Sequence, residues 1–84
     1  MEVSCMPNPA TGYASMMIES ARPEHVWIYL FNAFGAKVGA HELTLIRGRN
    51  QINLPEVPSL PAGMYTWTVM LGTNRASEGR LIKQ

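Results

Sequence analysis

The chain has 84 residues, seven basic and six acidic side chains, two histidines and a single cysteine. Such a length predicts one domain that buries roughly 60 to 65% of its unfolded surface. The basic residues are scattered, which argues against nucleic acid as a partner, and Cys5 alone excludes an intramolecular disulfide. No window reaches about 18 consecutive apolar residues, so stable membrane insertion is not expected.

The first nine residues are expected to be irregular. Pro7 and Pro9 hold the backbone extended and disfavour helix on both sides, so a pairing strand is not expected before Ala10. We therefore predict a lead over residues 1–9, a linker from a parent protein, and a folded domain over residues 10–84. The lead lacks the residue succession of a signal peptide, so any export signal would belong to a longer parent chain.

Apolar and polar side chains alternate with period two along most of the remaining sequence, which predicts strands. The expected strands cover residues 13–20, 25–32, 37–46, 51–54, 64–71 and 76–82. Turn residues separate them every 8 to 12 residues or so, and no amphipathic helix pattern occurs. The fold class is therefore predicted as all-β: a small antiparallel immunoglobulin-like β-sandwich of about six to seven strands.

Residues 60–71 contain the strand around which the others are expected to lie. Pro61 fixes its own φ, and Gly63 can adopt a positive φ, so the pair predicts a tight turn directly before the strand. One register of the strand is aromatic and aliphatic and is expected to face the core. Its members are Tyr65, Trp67, Val69 and Leu71.

The strand over residues 25–32 is apolar in both registers. Val26, Ile28 and Leu30 alternate with Trp27, Tyr29 and Phe31. This pattern indicates either a central strand or outer aromatic rings that meet neighbouring side chains.

Two glycines are expected to shape the hairpin that follows. Gly35 is expected to supply a left-handed residue in the loop, and Gly39 predicts a bulge in the returning strand. The next turn is expected over residues 47–50, before a strand with Ile52 and Leu54 facing inward.

The sequence offers no catalytic constellation. His25 and His41 have no cysteine or carboxylate near them at metal-ligand spacing, so we expect two half-exposed histidines and no metal site. No nucleophile stands in an elbow motif, and no cofactor-binding residues are expected. Five of the six glutamates stand singly at predicted strand edges or loops and are expected to be solvated: Glu19, Glu24, Glu42, Glu56 and Glu78.

The aromatic residues leave a binding function open. Trp27, Tyr29, Tyr65 and Trp67 could form a platform for sugar rings if they shared an exposed face, or they could pack in the core. The platform would make the chain an accessory immunoglobulin-like or fibronectin-like module that binds carbohydrate or spaces domains within a secreted enzyme. An exposed cluster of Trp27, Tyr29 and Phe31 on one face would favour that alternative.

Several short motifs occur together in an order typical of one family. They are Pro7-Asn8-Pro9, the strand over residues 26–31 with Asn32 and Gly35 after it, Gly48 with Asn50, Ile52 and Leu54, residues 60–63 with Tyr65, and residues 80–83. With these motifs in this order, the chain from about Met6 to Gln84 resembles the C-terminal sorting domain of the type IX secretion system of Bacteroidetes. The methionine-rich first strand and Arg80, where the family usually has lysine, depart from the pattern.

The resemblance implies a sorting role and no enzymatic activity. Such a domain directs a parent protein from the periplasm through an outer-membrane translocon. A sortase-like peptidase then typically removes the domain, and the cargo remains at the outer membrane and cell surface or is secreted. The translocon and the peptidase are therefore the expected partners.

The resemblance also implies which residues the translocon recognises. These are Gly63, Tyr65, Leu81, Ile82 and Lys83, and Lys83 is the preferred contact because the sequence shows no folding role for it. The last strand of an antiparallel sandwich is often an edge, so we expect docking by strand addition along residues 80–84, with Arg80 and Lys83 steering and Gln84 included. The same edge could support a dimer.

Overall fold

The computed structural model describes residues 1–7 and 12–84. Within these ranges the chain forms seven strands and one short 3-10 helix, Val57–Ser59. The strands are β1 (Glu2–Met6), β2 (Ser15–Ser20), β3 (Glu24–Phe31), β4 (Lys37–Leu45), β5 (Gly48–Asn53), β6 (Gly63–Leu71) and β7 (Asn74–Lys83). One sheet has the order β1-β2-β5 and the other β4-β3-β6-β7, and all strand pairs are antiparallel. The predicted all-β sandwich is confirmed.

No helix in the described part of the chain has the length and apolar character that a membrane crossing requires.

The core lies between the two sheets and is formed mainly by β2, β3 and β6. In β6 the inward register is the predicted one, since Tyr65, Trp67 and Val69 are buried. β3 and β6 are the two inner strands of the four-stranded sheet, so residues 63–71 are central as expected. The side chains exposed by less than 2% are Met16, Ile18, Val26, Ile28, Leu30, Leu45, Val57, Val69 and Leu81.

β1 corrects the prediction that residues 1–9 are irregular. Glu2–Met6 pairs with β2 over five residues, from Glu2 opposite Glu19 to Met6 opposite Ser15. Its inward register buries Cys5 and packs Val3 against the core. The prolines do not exclude a strand here: Pro7 lies directly after β1 and ends it without removing a hydrogen-bond donor from it. Pro9 lies outside the described residues, and the division into residues 1–9 and 10–84 stays a prediction.

The hairpin predictions are confirmed in part. Gly35 has a φ of 84°, in the left-handed region, and a bulge lies beside Gly39, where Leu30 pairs with Gly39 but Phe31 pairs with Lys37. The turn expected over residues 47–50 is shorter, because β5 already begins at Gly48, which has a φ of 100°.

The side chain of Asn50 closes that turn by hydrogen bonds to the backbone. Its Nδ2 donates to the carbonyls of Ile46 (3.0 Å) and Gly48 (3.2 Å), and its Oδ1 accepts from Ile46 N at 2.9 Å. Nδ2 also donates to the carbonyl of Ile18 in the neighbouring strand at 3.2 Å. One amide side chain therefore satisfies the backbone groups that the chain reversal leaves unpaired.

Two inward-facing glycines allow close packing. A Cβ at Gly79 would lie 2.3 Å from the Cζ2 atom of Trp67, and one at Gly39 would lie 2.1 Å from a carboxylate oxygen of Glu56. A side chain at either position would displace a packed neighbour.

Candidate recognition site at the end of β7

The predicted recognition residues divide between the two faces of the last strand. β7 is an edge strand of its sheet and pairs with β6 from Asn74 opposite Leu71 to Lys83 opposite Gly63. Because side chains alternate along a strand, Leu81 and Lys83 point inward and are 0% and 7% exposed. Arg80 and Ile82 point outward and are exposed. Of these four residues of β7, only Arg80 and Ile82 can offer side chains to a partner while the sandwich stays folded, and Gln84, directly after the strand, is also exposed.

Lys83 has a folding role, contrary to the expectation from the sequence. Its Nζ donates to the carbonyls of Leu60 at 2.8 Å and Val57 at 3.0 Å, with the carbonyl of Pro58 at 3.5 Å. These carbonyls belong to residues 55–60, which we call the 55–60 loop. A buried ammonium group requires such acceptors. The same hydrogen bonds hold the 55–60 loop against the end of β7.

The 55–60 loop is also held from the opposite edge of the sheet. His41 Nε2 in β4 donates to Glu56 Oε2 at 2.6 Å. Side-chain exposure is 24% for His41 and 18% for Glu56, so the expectation of a solvated Glu56 is wrong. Glu56 Oε1 is buried and has no hydrogen-bond partner among the described residues. The absence of a side chain at Gly39 makes room for the carboxylate.

Tyr65 fastens the turn that leads into β6. Its hydroxyl donates to the carbonyl of Pro61 at 2.5 Å, and its ring is 5% exposed. This contact resembles the tyrosine corner of β-sandwiches, in which a tyrosine bonds to the backbone a few residues upstream. Gly63 opens the strand and is exposed. The Pro61, Gly63 and Tyr65 motif therefore shapes the turn beside the end of β7.

Other ionisable side chains form separate pairs on the surface. His25 Nε2 donates to Glu42 Oε2 at 2.6 Å on the outer face, and Arg22 pairs with Glu24 at 2.7 Å. Within residues 1–7 and 12–84, no group of three or more histidine, cysteine or carboxylate residues could hold a metal ion.

The outer face of the four-stranded sheet carries the aromatic row of β3. Trp27, Tyr29 and Phe31 are half-buried there. Lys37 Nζ lies 4.2 Å from the centroid of the Tyr29 ring, and the Tyr29 and Phe31 rings are tilted by 54°. His25 meets Trp27 edge-on at 4.8 Å between centroids. The rings share one face, but neighbouring side chains contact them and they do not form a flat platform.

Three exposed apolar side chains lie at the end of this face, next to the end of β7. Phe34, at the tip of the β3–β4 hairpin, is 95% exposed, Met64 is 48% exposed and Ile82 is 44% exposed. Met64 pairs directly with Ile82 across the strands, and it lines one recess together with Phe34. We call these three residues the terminal patch. Sequence reasoning did not find the patch, although the outward register of positions 64 and 82 would have indicated two of its members.

The fold and the site define a small β-sandwich whose last strand forms one sheet edge and presents a distinct surface at its end. The family model described as "Secretion system C-terminal sorting domain" matches residues 4–84. Because this match covers nearly the whole chain, the chain belongs to this family, the C-terminal sorting domains of type IX secretion. The comparison with curated proteins found no match. The family is one of sorting signals and not of catalysts, and the alternative of a carbohydrate-binding or spacer module is not favoured.

Proposed function

We propose that the domain works as a folded address label that brings its parent protein to the outer-membrane translocon of the type IX system. Membership of the sorting-domain family over residues 4–84 supports this proposal above all. In this proposal the domain itself carries out no chemistry. The parent is in the periplasm during transit, a sortase-like peptidase then removes the domain, and the cargo stays at the outer membrane and cell surface or is secreted.

Burial and position in the fold divide the predicted recognition residues by the role we propose for each. Arg80, Ile82 and Gln84 are exposed and are proposed to contact the translocon directly. The other predicted recognition residues are proposed to act mainly by shaping this end of the sandwich. They are Gly63, Tyr65, Leu81 and Lys83.

The backbone of β7 offers a second means of docking. A partner strand could extend the four-stranded sheet beyond this edge strand, in the mode by which many proteins recognise extended segments. The same geometry would permit an edge-to-edge dimer, which would occupy the surface that docking needs.

The proposal is tested with a reporter cargo that carries an export signal and is fused to residues 1–84. We expect the cargo on the surface of a Bacteroidetes host and in the periplasm of the same host without its translocon, measured by protease accessibility of intact cells. Equal surface display in both hosts would contradict the proposal.

Removal of residues 81–84 provides the matched variant, and we expect it to leave the cargo in the periplasm. Because Leu81 and Lys83 are buried, circular dichroism and thermal unfolding of the purified variant must accompany the assay. A truncated domain that is displayed like the complete one would exclude the end of β7 as the recognised element.

A further inference from the structure

We propose that the terminal patch is a docking surface for a protein that presents an apolar recess with carboxylates at its rim. The inference rests on the proposed sorting function and identifies the residues and the partner chemistry involved. Phe34, Met64 and Ile82 come from three different segments of the chain, and together they place apolar side chains in solvent beside the end of β7.

The fold does not require apolar side chains at these three positions. Each lies outside the buried cluster between the sheets, whereas the strand neighbours Tyr65 and Leu81 are buried. Single exposed apolar residues need no explanation, but contiguous ones mark interaction sites.

Charge indicates what the partner carries. Next to the Met64–Ile82 pair, the outer face of the sheet has a row of four paired residues, one from each strand. In order from β7 to β4 they are Arg80, Thr66, Phe31 and Lys37. This row and the patch contain two cationic side chains and no carboxylate. The nearest carboxylate along β7, Glu78, already pairs with Arg75 at 2.9 Å. A carboxylate-rimmed partner is therefore attracted, whereas a second copy of the patch would bring like charges together.

The shape of the surface favours a protein partner over a lipid layer. A recess of about 200 Å³ lies beside Phe34 and is lined by Val38, Leu60, Met64 and Tyr65 among others. A protruding aromatic ring next to an apolar recess fits a protein surface with matching side chains, since interface cores interdigitate as protein interiors do. A membrane surface has no such fixed relief.

The experiment uses the cargo fusion with Phe34→Ser, Met64→Thr and Ile82→Thr combined. Ile46→Thr is the matched control, since Ile46 is 64% exposed and lies outside the patch. We expect the triple variant to lower the surface-displayed fraction by about tenfold or more, the effect of losing apolar anchors at an interface. The control should be displayed like the unsubstituted fusion, and the thermal midpoints of the purified chains should stay within a few degrees of one another.

A photo-crosslinking residue at position 34 or 82 identifies the occupant in cells during transport. Adducts with one other protein at these positions and none at position 46, together with loss of display by the triple variant, support the proposal. Three results would each overturn it: adducts only with a second copy, binding of phosphatidylglycerol vesicles by the purified chain but not by its triple variant, or normal display of the triple variant. If even the unsubstituted fusion is not displayed, the sorting function itself fails and the docking surface fails with it.

Discussion

Lys83 has no folding role that its sequence neighbours reveal, yet the folded chain buries its ammonium group against backbone carbonyls. Its acceptor carbonyls belong to residues between 23 and 26 positions earlier in the chain. No local pattern predicts a contact over that separation, because it depends on which strand lies beside the 55–60 loop. By contrast, the inward residues of β6 carry a local signal and were predicted correctly, since Tyr65, Trp67 and Val69 alternate along the strand and are buried.

Replacing Lys83 with methionine keeps the aliphatic stem and removes the ammonium. The carbonyls of Val57 and Leu60 then lose a charged donor, and we expect the free energy of unfolding to fall by about 2 kcal/mol. Lys37→Met is the control, since Lys37 only covers the Tyr29 ring on the surface and should lose less than about 1 kcal/mol. Urea denaturation measures both values. An unchanged unfolding midpoint combined with failed display would instead make Lys83 a direct contact of the translocon.

At the scale of the elements, the strands β2 to β7 were all predictable because each alternates with period two and is bounded by turn residues. β1 is harder to predict, because Pro7 and Pro9 closely follow it in the sequence and only Val3 and Cys5 carry its inward alternation. Burial of Cys5 depends on this strand lying against the sandwich, and it raises the pKa of the thiol to about 11. Cys5 therefore reports whether β1 is docked.

We expect the Cys5 thiol to react far more slowly with a disulfide reagent at pH 8 in the folded chain than in urea. The thiol is neutral in both states below about pH 9. As the pH rises further, the unfolded state loses its proton first, so stability should fall by up to about 1.4 kcal/mol per pH unit until the folded pKa near 11 is passed. Cys5→Ala should remove that part of the decline in urea titrations between pH 8 and 11. Equally fast modification with and without urea would mean that β1 is detached.

For the whole molecule, the 55–60 loop joins the two edges of the four-stranded sheet. His41 holds it from β4 through Glu56, and Lys83 holds it from β7 through backbone carbonyls. The same loop leads from β5 in one sheet to β6 in the other. Its position therefore depends on two polar contacts as well as on the buried Val57, and we expect the end of β7 near the terminal patch to be coupled to the far edge of the sheet.

This coupling can be measured with a double-mutant cycle of His41→Ala and Lys83→Met. When one contact is lost the loop loosens, so the second contact contributes less. We expect the double variant to lose at least about 0.5 kcal/mol less than the sum of the single losses, the coupling typical of residues that share a mobile segment. Arg75→Ala with Lys83→Met is the control pair, because Arg75 pairs with Glu78 on the surface and not with the loop, and its effects should add. Additive losses for His41 and Lys83 would show that each edge holds its own part of the loop independently.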